Sequence, residues 1–395
     1  MMRRFFLMLT FLGWVGTNQL NAQTLSNVVD KAFNSAEQQY LSMARKYEDQ
    51  SGRLPKTFEK GKDVSSDSRW WCSGFFPGSL WYIFEDSKNA EVLKYAKMYT
   101  DRVEREKFTT DNHDVGFMLY SSFGNGLRLT GDAHYKEVLL TGAKSLATRF
   151  DPKVGLIRSW DNNTKVWQYP VIIDNLMNLE LLLWAAEYSG DDHFKQIAIS
   201  HADKTMQNHF RPDYSSYHVV SYDRKTGVPH LKQTHQGAAD DSAWSRGQAW
   251  GLYGYTYLYR ITKDKRYLDQ ACHIADFIIN HPQMPKDFIP YWDFNAPQIP
   301  NTPRDASAAC IMASALTELS GFVDQNLSKK YMQVVETQIR TLASDAYTAK
   351  AGENGDFILK HSTGGFPFHS EVDVPLTYAD YYYLETLSRL KKRLK

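Results

Sequence analysis

Cysteine is scarce in this sequence, and the few cysteines lie far apart. Cys72, Cys272 and Cys310 form no CxxC pair or other metal-ligand spacing. An odd number of cysteines at such separations excludes a disulfide framework and argues against a structural zinc site. We expect the three thiols to be small buried side chains.

Motifs that define several large enzyme classes are also missing. The chain has no HExxH or calcium-loop pattern, no glycine-rich phosphate loop after a strand, and no GxSxG nucleophile motif. These patterns mark metal, nucleotide and serine-nucleophile chemistry. We therefore expect no metal ion and no cofactor.

An excess of charge of either sign is absent as well. The 395 residues include 46 Lys and Arg against 45 Asp and Glu, a net charge of +1. Without a strongly basic surface, neither nucleic acid nor a membrane is an expected partner. Aromatic residues, by contrast, make up 14% of the chain. Such a supply suits large cores and clefts in which sugar rings stack on aromatic faces.

The N-terminal segment has the pattern of a secretory signal peptide. Two arginines precede an apolar run at residues 5–15, and Ala22 is a small residue suited to cleavage. The run is too short to span a bilayer, although an uncleaved anchor is the alternative. We expect residues 1–22 to be removed and residues 23–395 to form a single domain. We also expect this domain to be exported to the periplasm.

A helical hairpin recurs along the rest of the chain. In each copy an apolar-periodic helix ends at a polar turn containing an aspartate, and an aromatic residue opens the next helix. The turn aspartates are Asp132, Asp192 and Asp264. Repeats of this kind indicate a repeat architecture. Twelve predicted helices in six hairpins favour an all-α (α/α)6 barrel, with an irregular helical array as the alternative.

Two aspartates occupy equivalent positions on successive hairpins. Asp114 and Asp174 each lie 18 residues before the turn aspartate of their own hairpin. If the first helices form the inner ring, both carboxylates lie at one rim of the central cavity, where a pair suits acid–base chemistry. The apolar residues 171–173 before Asp174 predict a raised pKa for its carboxyl. A helix N-cap is the alternative role for each.

The densest group of polar and aromatic residues lies at 233–250 and includes His235 and Gln236. On a helix, Arg246 and Trp250 are i, i+4 neighbours and share one face. Such an arginine can hold a carboxylate through two hydrogen bonds while the indole stacks under a sugar. A buried Arg–Asp pair beside a core tryptophan is the alternative.

Further candidates lie in loops that precede or connect the helices. Trp71 and Trp160 precede helices and predict an aromatic-lined pocket, although a single tryptophan of this kind is more often a core residue. His361 lies in the loop at 360–370, whose two adjacent glycines allow close backbone approach. Its imidazole could bond a sulfate or hydroxyl of a neighbouring sugar. An ordinary glycine-rich connection is the alternative.

Seven short motifs between about residues 70 and 390 together resemble glycoside hydrolase family 88, the unsaturated glucuronyl hydrolases. Each is weak alone, but the set is specific. They are Trp71-x-x-Gly-Phe75, His113-Asp114-x-Gly-Phe117, Ile173-Asp174-Asn-Leu-Met-Asn178, Ser242-Ala-Trp-Ser-Arg-Gly-Gln-Ala-Trp-Gly251, Pro290-Tyr-Trp-Asp-Phe294, Arg304-Asp-Ala-Ser-Ala308 and Tyr378-Ala-Asp-Tyr-Tyr382.

The resemblance implies an (α/α)6 barrel and an unusual hydrolysis. The substrates are oligosaccharides left by polysaccharide lyases, whose terminal uronic acid has a C4=C5 double bond. An acid protonates C4, water adds at C5, and the hemiketal opens. By resemblance, Asp174 is the acid–base residue and Asp114 a second essential aspartate. Substrate-contacting or pocket-lining positions are implied at Trp71, His113, Trp160, Gln236, Arg246 and Trp250.

The primary hypothesis is an unsaturated glucuronyl hydrolase acting on chondroitin-, hyaluronan- or heparin-derived oligosaccharides, as a monomer or homodimer. A hydrolase of unsaturated rhamnogalacturonan disaccharides is the rival enzyme. A non-catalytic sugar-binding barrel is the rival from another class. It predicts the loss of an acidic residue, whereas both Asp114 and Asp174 are present.

Overall fold

A computed structural model describes residues 12–394 of the chain, with side chains from residue 25 onward. Residues 1–11 of the predicted signal peptide lie outside the described residues, and its cleavage after Ala22 stays a prediction. No helix within the described range is long and apolar enough to cross a membrane. The helices are α1 (Leu12–Lys46), α2 (Phe75–Ser87), α3 (Ala90–Asp101), α4 (Val115–Leu119), α5 (Asn125–Thr130), α6 (Ala133–Ala147), α7 (Leu179–Ser189), α8 (Asp192–Asn208), α9 (Ser245–Thr262), α10 (Lys265–Asn280), α11 (Ala306–Leu319), α12 (Gln325–Leu342) and α13 (Thr377–Arg393).

The helices form two concentric rings. A π-helical turn, Tyr120–Gly124, joins α4 to α5, so these two segments make one continuous helix. The inner helices α2, α4–α5, α7, α9, α11 and α13 contact one another in that order, and α13 returns to α2. The outer helices α1, α3, α6, α8, α10 and α12 pack against them. The predicted (α/α)6 barrel is therefore confirmed.

Sequence patterning explains which helices lie inside. Helix α9 is buried around nearly its whole circumference, as an inner helix must be. Helix α10 buries one stripe, which includes Tyr267, Ile274 and Ile278, and exposes the opposite face. Outer helices of this kind are stabilised by the apolar area of that single stripe.

Turn aspartates cap the outer helices. The carboxylates of Asp132, Asp264 and Asp324 accept hydrogen bonds from backbone amides in the first turns of α6, α10 and α12. At α8 the cap is Asp191, which directly precedes the turn aspartate Asp192. Capping satisfies amides that have no partner inside the helix, so these aspartates fix where each outer helix begins.

Four small antiparallel sheets are inserted between the helices. The strands are β1 (Leu54–Glu59), β2 (Lys62–Ser66), β3 (Phe150–Asp151), β4 (Leu156–Ile157), β5 (Pro170–Ile172), β6 (Val219–Tyr222), β7 (Pro229–Gln233), β8 (Ser362–Gly365) and β9 (Ser370–Val374). They pair as β1–β2, β3–β4, β5–β6–β7 and β8–β9. The segments that contain β5, β7 and β8 lead towards inner helices, so the sheets position the residues at one rim of the barrel.

A network of ion pairs lies towards the other end of the barrel. Arg260 pairs with both Glu180 and Glu318, and Arg389 pairs with both Glu318 and Glu385. These side chains come from α7, α9, α11 and α13, and most of them lie in the later turns of those helices. Four of the five border a polar cavity of about 470 Å³. Each arginine therefore bridges two carboxylates, and Glu318 is shared by both arginines.

Gly116 sets how closely α4 approaches the turn before α7. A methyl group on its Cα would lie 2.6 Å from the Asn178 Cα, much closer than van der Waals contact. We expect Gly116→Ala to force the two segments apart and to destabilise the fold by ~1–3 kcal/mol. Thermal unfolding measures this loss.

Gly321→Ala is the matched control. The added methyl group would meet its nearest neighbour, the Glu318 carbonyl oxygen, at 3.3 Å. Its Tm should fall by less than that of Gly116→Ala. An equal change in Tm for both variants would show that the Gly116–Asn178 contact does not limit the approach of the two segments.

Candidate active site

Asp114 and Asp174 lie at the ends of neighbouring inner helices, as their spacing predicted. Asp114 directly precedes α4, but its side chain makes no capping hydrogen bond. Asp174 lies in the 3-10 turn Ile173–Asn178, which leads into α7. The two side chains are 20% and 12% exposed, respectively. Asp114 is therefore not serving as a helix cap, and both carboxyl groups are largely removed from water.

Burial changes the acidity of both carboxyl groups. It raises the pKa of Asp114 to about 8, with a further contribution from the charge of Asp174 and an opposing one from Arg149. Burial also raises the pKa of Asp174 to about 7, and Arg246 and the Trp250 indole oppose this rise. A carboxyl group with a pKa near neutrality can both donate and accept a proton at neutral pH.

His218 is a neighbour of Asp174 that sequence reasoning missed. It directly precedes β6, and its Nδ1 accepts hydrogen bonds from the backbone amides of His235 and Gln236, both at 3.1 Å. Burial lowers the pKa of His218 well below its usual value, so the ring is neutral. Its single proton is therefore on Nε2, which lies 3.7 Å from Asp174 Oδ2.

His113 stands beside Asp114 as the sequence predicted. Its Nε2 lies 3.3 Å from Asp114 Oδ1. The backbone amide of His113 donates to the Ser159 carbonyl, which holds the loop before α4 against the segment that follows β4. Burial lowers the pKa of His113 to about 3, so this ring is also neutral. Each aspartate thus has a neutral histidine next to it.

Aromatic rings form two groups near the aspartates. Trp71 packs against Phe117 and Tyr378, with ring centres 5.3 and 4.8 Å apart. The second group joins Trp160 to Trp167 and His235 at 5.5 and 5.7 Å. Trp71, Trp160 and His235 keep part of their surface exposed. These three predicted residues therefore remain accessible to a ligand.

Phe368 extends the second aromatic group and was not predicted from sequence. It lies between β8 and β9, is 51% exposed, and packs on His235 at 4.7 Å between ring centres. The Gln236 side chain donates to the Gly364 carbonyl at 3.0 Å. The β8–β9 hairpin is therefore tied to the segment that carries His235 and Gln236.

The predicted two-pronged grip of Arg246 on a ligand carboxylate needs correction. Its side chain is 1% exposed and forms an ion pair with Asp305 at 2.9 Å. It also donates to the carbonyls of Thr363 and Gly364, both at 2.6 Å. Because these bonds occupy both terminal nitrogens, Arg246 anchors the β8–β9 hairpin, as the buried-pair alternative anticipated.

Trp250 and His361 also differ from their predicted roles. Trp250 is fully buried and packs between Phe117 and Tyr382, so neither face is free to stack under a sugar. Its indole N–H is close enough to the Asp174 carboxyl group to oppose the rise in that group's pKa, although the two form no hydrogen bond of standard geometry. The His361 ring lies 2.6 Å from an Asp373 carboxylate oxygen and packs on Tyr347. It does not contact Asp114 or Asp174.

A pair of desolvated carboxyl groups, flanked by partly exposed aromatic rings at one end of an (α/α)6 barrel, is an arrangement that suits a glycoside hydrolase. The chain belongs to glycoside hydrolase family 88, since the model of Glycosyl Hydrolase Family 88 matches residues 45–392.

Individual relatives agree with this assignment. The chain is 44% identical to an unsaturated glucuronyl hydrolase of Formosa agariphila, over 91% of this chain and 90% of the relative. It is 31% identical to an unsaturated chondroitin disaccharide hydrolase of Streptococcus pneumoniae, over 94% and 93%. A crystal structure of an unsaturated glucuronyl hydrolase specific for heparin superposes with a TM-score of 0.90 at 48% identity, covering 93% of this chain and 98% of that one.

The raised pKa of Asp114 makes stability depend on pH. The native state binds the Asp114 proton more tightly than the unfolded chain does, so stability from this group is lost as pH rises from about 4 towards 8. An amide cannot ionise. We therefore expect Asp114→Asn to have a higher Tm than the wild type at pH 8, and a smaller advantage at pH 5.

Thermal unfolding of both proteins at the two pH values measures this difference. Asp132→Asn is the control, because Asp132 is an exposed helix cap. A Tm difference for Asp114→Asn that does not grow with pH would contradict the proposed cost of ionising this buried carboxyl group.

Proposed function

We propose that the enzyme removes the terminal 4,5-unsaturated uronic acid from oligosaccharides released by polysaccharide lyases. The observation that carries the proposal is the buried Asp174 carboxyl group, whose pKa of about 7 suits it to both proton donation and proton acceptance. Hydration of a vinyl ether needs both steps in sequence, and one residue can perform them.

The reaction begins with transfer of the Asp174 proton to C4 of the unsaturated ring. Positive charge then develops at C5 and the ring oxygen. The Asp174 carboxylate formed in this step accepts a proton from a water molecule as that water adds to C5. The resulting hemiketal opens and releases the remaining sugar, and Asp174 again holds a proton.

The neighbouring residues hold these groups in place. His218 Nε2 lies 3.7 Å from Asp174 Oδ2, so its N–H is near enough to stabilise the carboxylate formed by proton transfer. Asp114, with a pKa of about 8, stays protonated in neutral solution and can donate a hydrogen bond to a sugar hydroxyl. Trp71 and Trp160 present partly exposed rings on which a sugar can stack.

Glycosaminoglycan disaccharides are the proposed substrates, and heparin-type disaccharides are the first choice among them. The heparin-specific solved structure shares 48% identity with this chain, whereas the chondroitin disaccharide hydrolase shares 31%. Arg246 and Gln236 hold the β8–β9 hairpin against the segment that carries His235, and the exposed Phe368 ring beside His235 supports a role in contacting the sugar next to the uronic acid.

Asp174→Asn tests the reaction directly. An amide can neither donate nor accept the catalytic proton, so turnover should fall by at least ~10²–10⁴-fold. The measurement is the loss of ultraviolet absorbance of the C4=C5 double bond, with Asp192→Asn on the outer helix α8 as the control. More than a tenth of wild-type activity in Asp174→Asn would overturn the assignment of the acid–base residue.

A substrate comparison tests the proposed class. Unsaturated heparin, chondroitin and hyaluronan disaccharides are offered beside an unsaturated rhamnogalacturonan disaccharide. We expect the highest kcat/KM on a heparin-type disaccharide and little activity on the rhamnogalacturonan product. The reverse order would favour the rival enzyme, and binding of all four without turnover would favour a sugar-binding protein.

We also propose that the chain is exported to the periplasm after cleavage at Ala22, and that it acts as a monomer or homodimer. The arginine pair and the apolar run at residues 5–15 support export. N-terminal sequencing of the protein from a cell fraction, with size-exclusion chromatography, tests both points. An intact N-terminus in the cytoplasmic fraction would contradict export.

A further inference from the structure

A chain of hydrogen bonds connects the outer helix α8 to the catalytic rim. His201 is fully buried on α8, and its Nδ1 accepts a hydrogen bond from the Ile157 amide at 3.0 Å. The carbonyl of the same residue, Ile157, accepts a hydrogen bond from Asn175 Nδ2 at 2.9 Å. Asn175 follows Asp174 directly. This series of hydrogen bonds therefore starts on an outer helix and ends beside the acid–base residue.

The orientation of the Asn175 amide follows from these bonds. The Ile157 carbonyl can only accept, so the NH2 group of Asn175 must face it and Oδ1 must face the other way. The Asn175 side chain neighbours the His113 ring and acts against the fall in its pKa. Asn175 Oδ1 and His113 Nδ1 are both buried and have no hydrogen-bond partner of standard geometry among the described residues, so each is the group available to satisfy the other.

The His113 tautomer follows in turn. Because Asn175 Oδ1 only accepts, the single ring proton of neutral His113 belongs on Nδ1. His113 Nε2 is then an acceptor, 3.3 Å from Asp114 Oδ1. His218 has the opposite arrangement, since two backbone amides occupy its Nδ1 and leave the proton on Nε2.

We propose that His201 is a positioning residue that, through the backbone N–H and C=O of Ile157 and through Asn175, holds His113 as the Nδ1–H tautomer and so keeps a proton on Asp114. The two catalytic aspartates then have complementary neighbours, because His218 donates towards Asp174 and His113 accepts from Asp114. The inference rests on the proposed function only in the catalytic consequence of that proton, not in the tautomer itself.

The surroundings of Asp114 are consistent with this arrangement. The groups that face it are His113 on its own loop, Asp174 from the turn before α7, and Arg149 after α6. Arg149 acts against protonation, but it is hydrogen-bonded to the Thr110 carbonyl and to Asp161. The pKa of Asp114 is nevertheless raised to about 8.

Histidine side-chain NMR on the ¹⁵N-labelled wild-type protein tests the tautomer without substrate. The signals of His113 and His218 are assigned by their loss in His113→Gln and His218→Gln. We expect Nδ1–H for His113 and Nε2–H for His218. An Nε2–H tautomer for His113 would overturn the proposal, whether or not the enzyme acts on the proposed substrates.

Two substitutions then test the role of His201. His201→Asn places an amide oxygen near the position of Nδ1 and can keep the bond to Ile157, whereas His201→Leu removes the acceptor. We expect His201→Leu to lower kcat about tenfold with KM changed less than twofold, and to move the alkaline limb of the kcat profile to lower pH. His201→Asn should retain at least half of the wild-type kcat.

His209→Leu is the matched control. His209 follows α8, is equally buried, and makes no side-chain hydrogen bond to this chain of residues. Its kcat and pH profile should match the wild type, even if its Tm falls. Two outcomes would show that His201 is only structural. One is equal kinetics for His201→Asn and His201→Leu, and the other is a His201→Leu variant whose Tm falls while its kcat and pH profile stay unchanged.

Discussion

The two carboxyl groups at the rim are held out of water without a cation of their own, and the proposed acid–base chemistry depends on this. A carboxylate bonded directly to an arginine has its pKa lowered by about 1–3 units, which would leave no acid at neutral pH. Arg246 lies near enough to oppose the rise at Asp174, yet its donors are committed to Asp305 and to two carbonyls of the β8–β9 hairpin. The buried ion pair therefore builds the site while leaving Asp174 acidic at the required pH.

The barrel provides this environment through its geometry. All inner helices begin at one rim, so the loops before them meet there although they are far apart in sequence. The small sheets refine the positions: the Ile173 amide donates to the His218 carbonyl at 3.1 Å, which fixes the turn carrying Asp174 against β6. Functional loops on a rigid scaffold are a common arrangement in enzymes.

Sequence reasoning succeeded where a repeat relates chain position to location in the barrel. The equal spacing of Asp114 and Asp174 from their turns placed both at one rim, and the six hairpins gave the fold. Periodicity could not show what Arg246 and Trp250 contact. Helix α9 is buried on nearly all sides, so its sequence pattern does not separate a face that meets the core from a face that meets solvent. His361 has a left-handed backbone conformation (φ 63°), which could not be inferred from the nearby glycines. Its ring contacts Asp373 instead of the site. His218 owes its role to two backbone amides that no pattern in the sequence indicates.

The ion pairs along the barrel axis have a consequence for how a polymer is processed. Because Arg260 and Arg389 with their glutamate partners lie towards the far end, we expect an oligosaccharide to enter from the rim with its terminal sugar first and not to thread through. Both products would then leave by the path that the substrate used. We therefore expect distributive, end-by-end cleavage, in which the shortened chain departs after every turnover, and not processive movement along a strand.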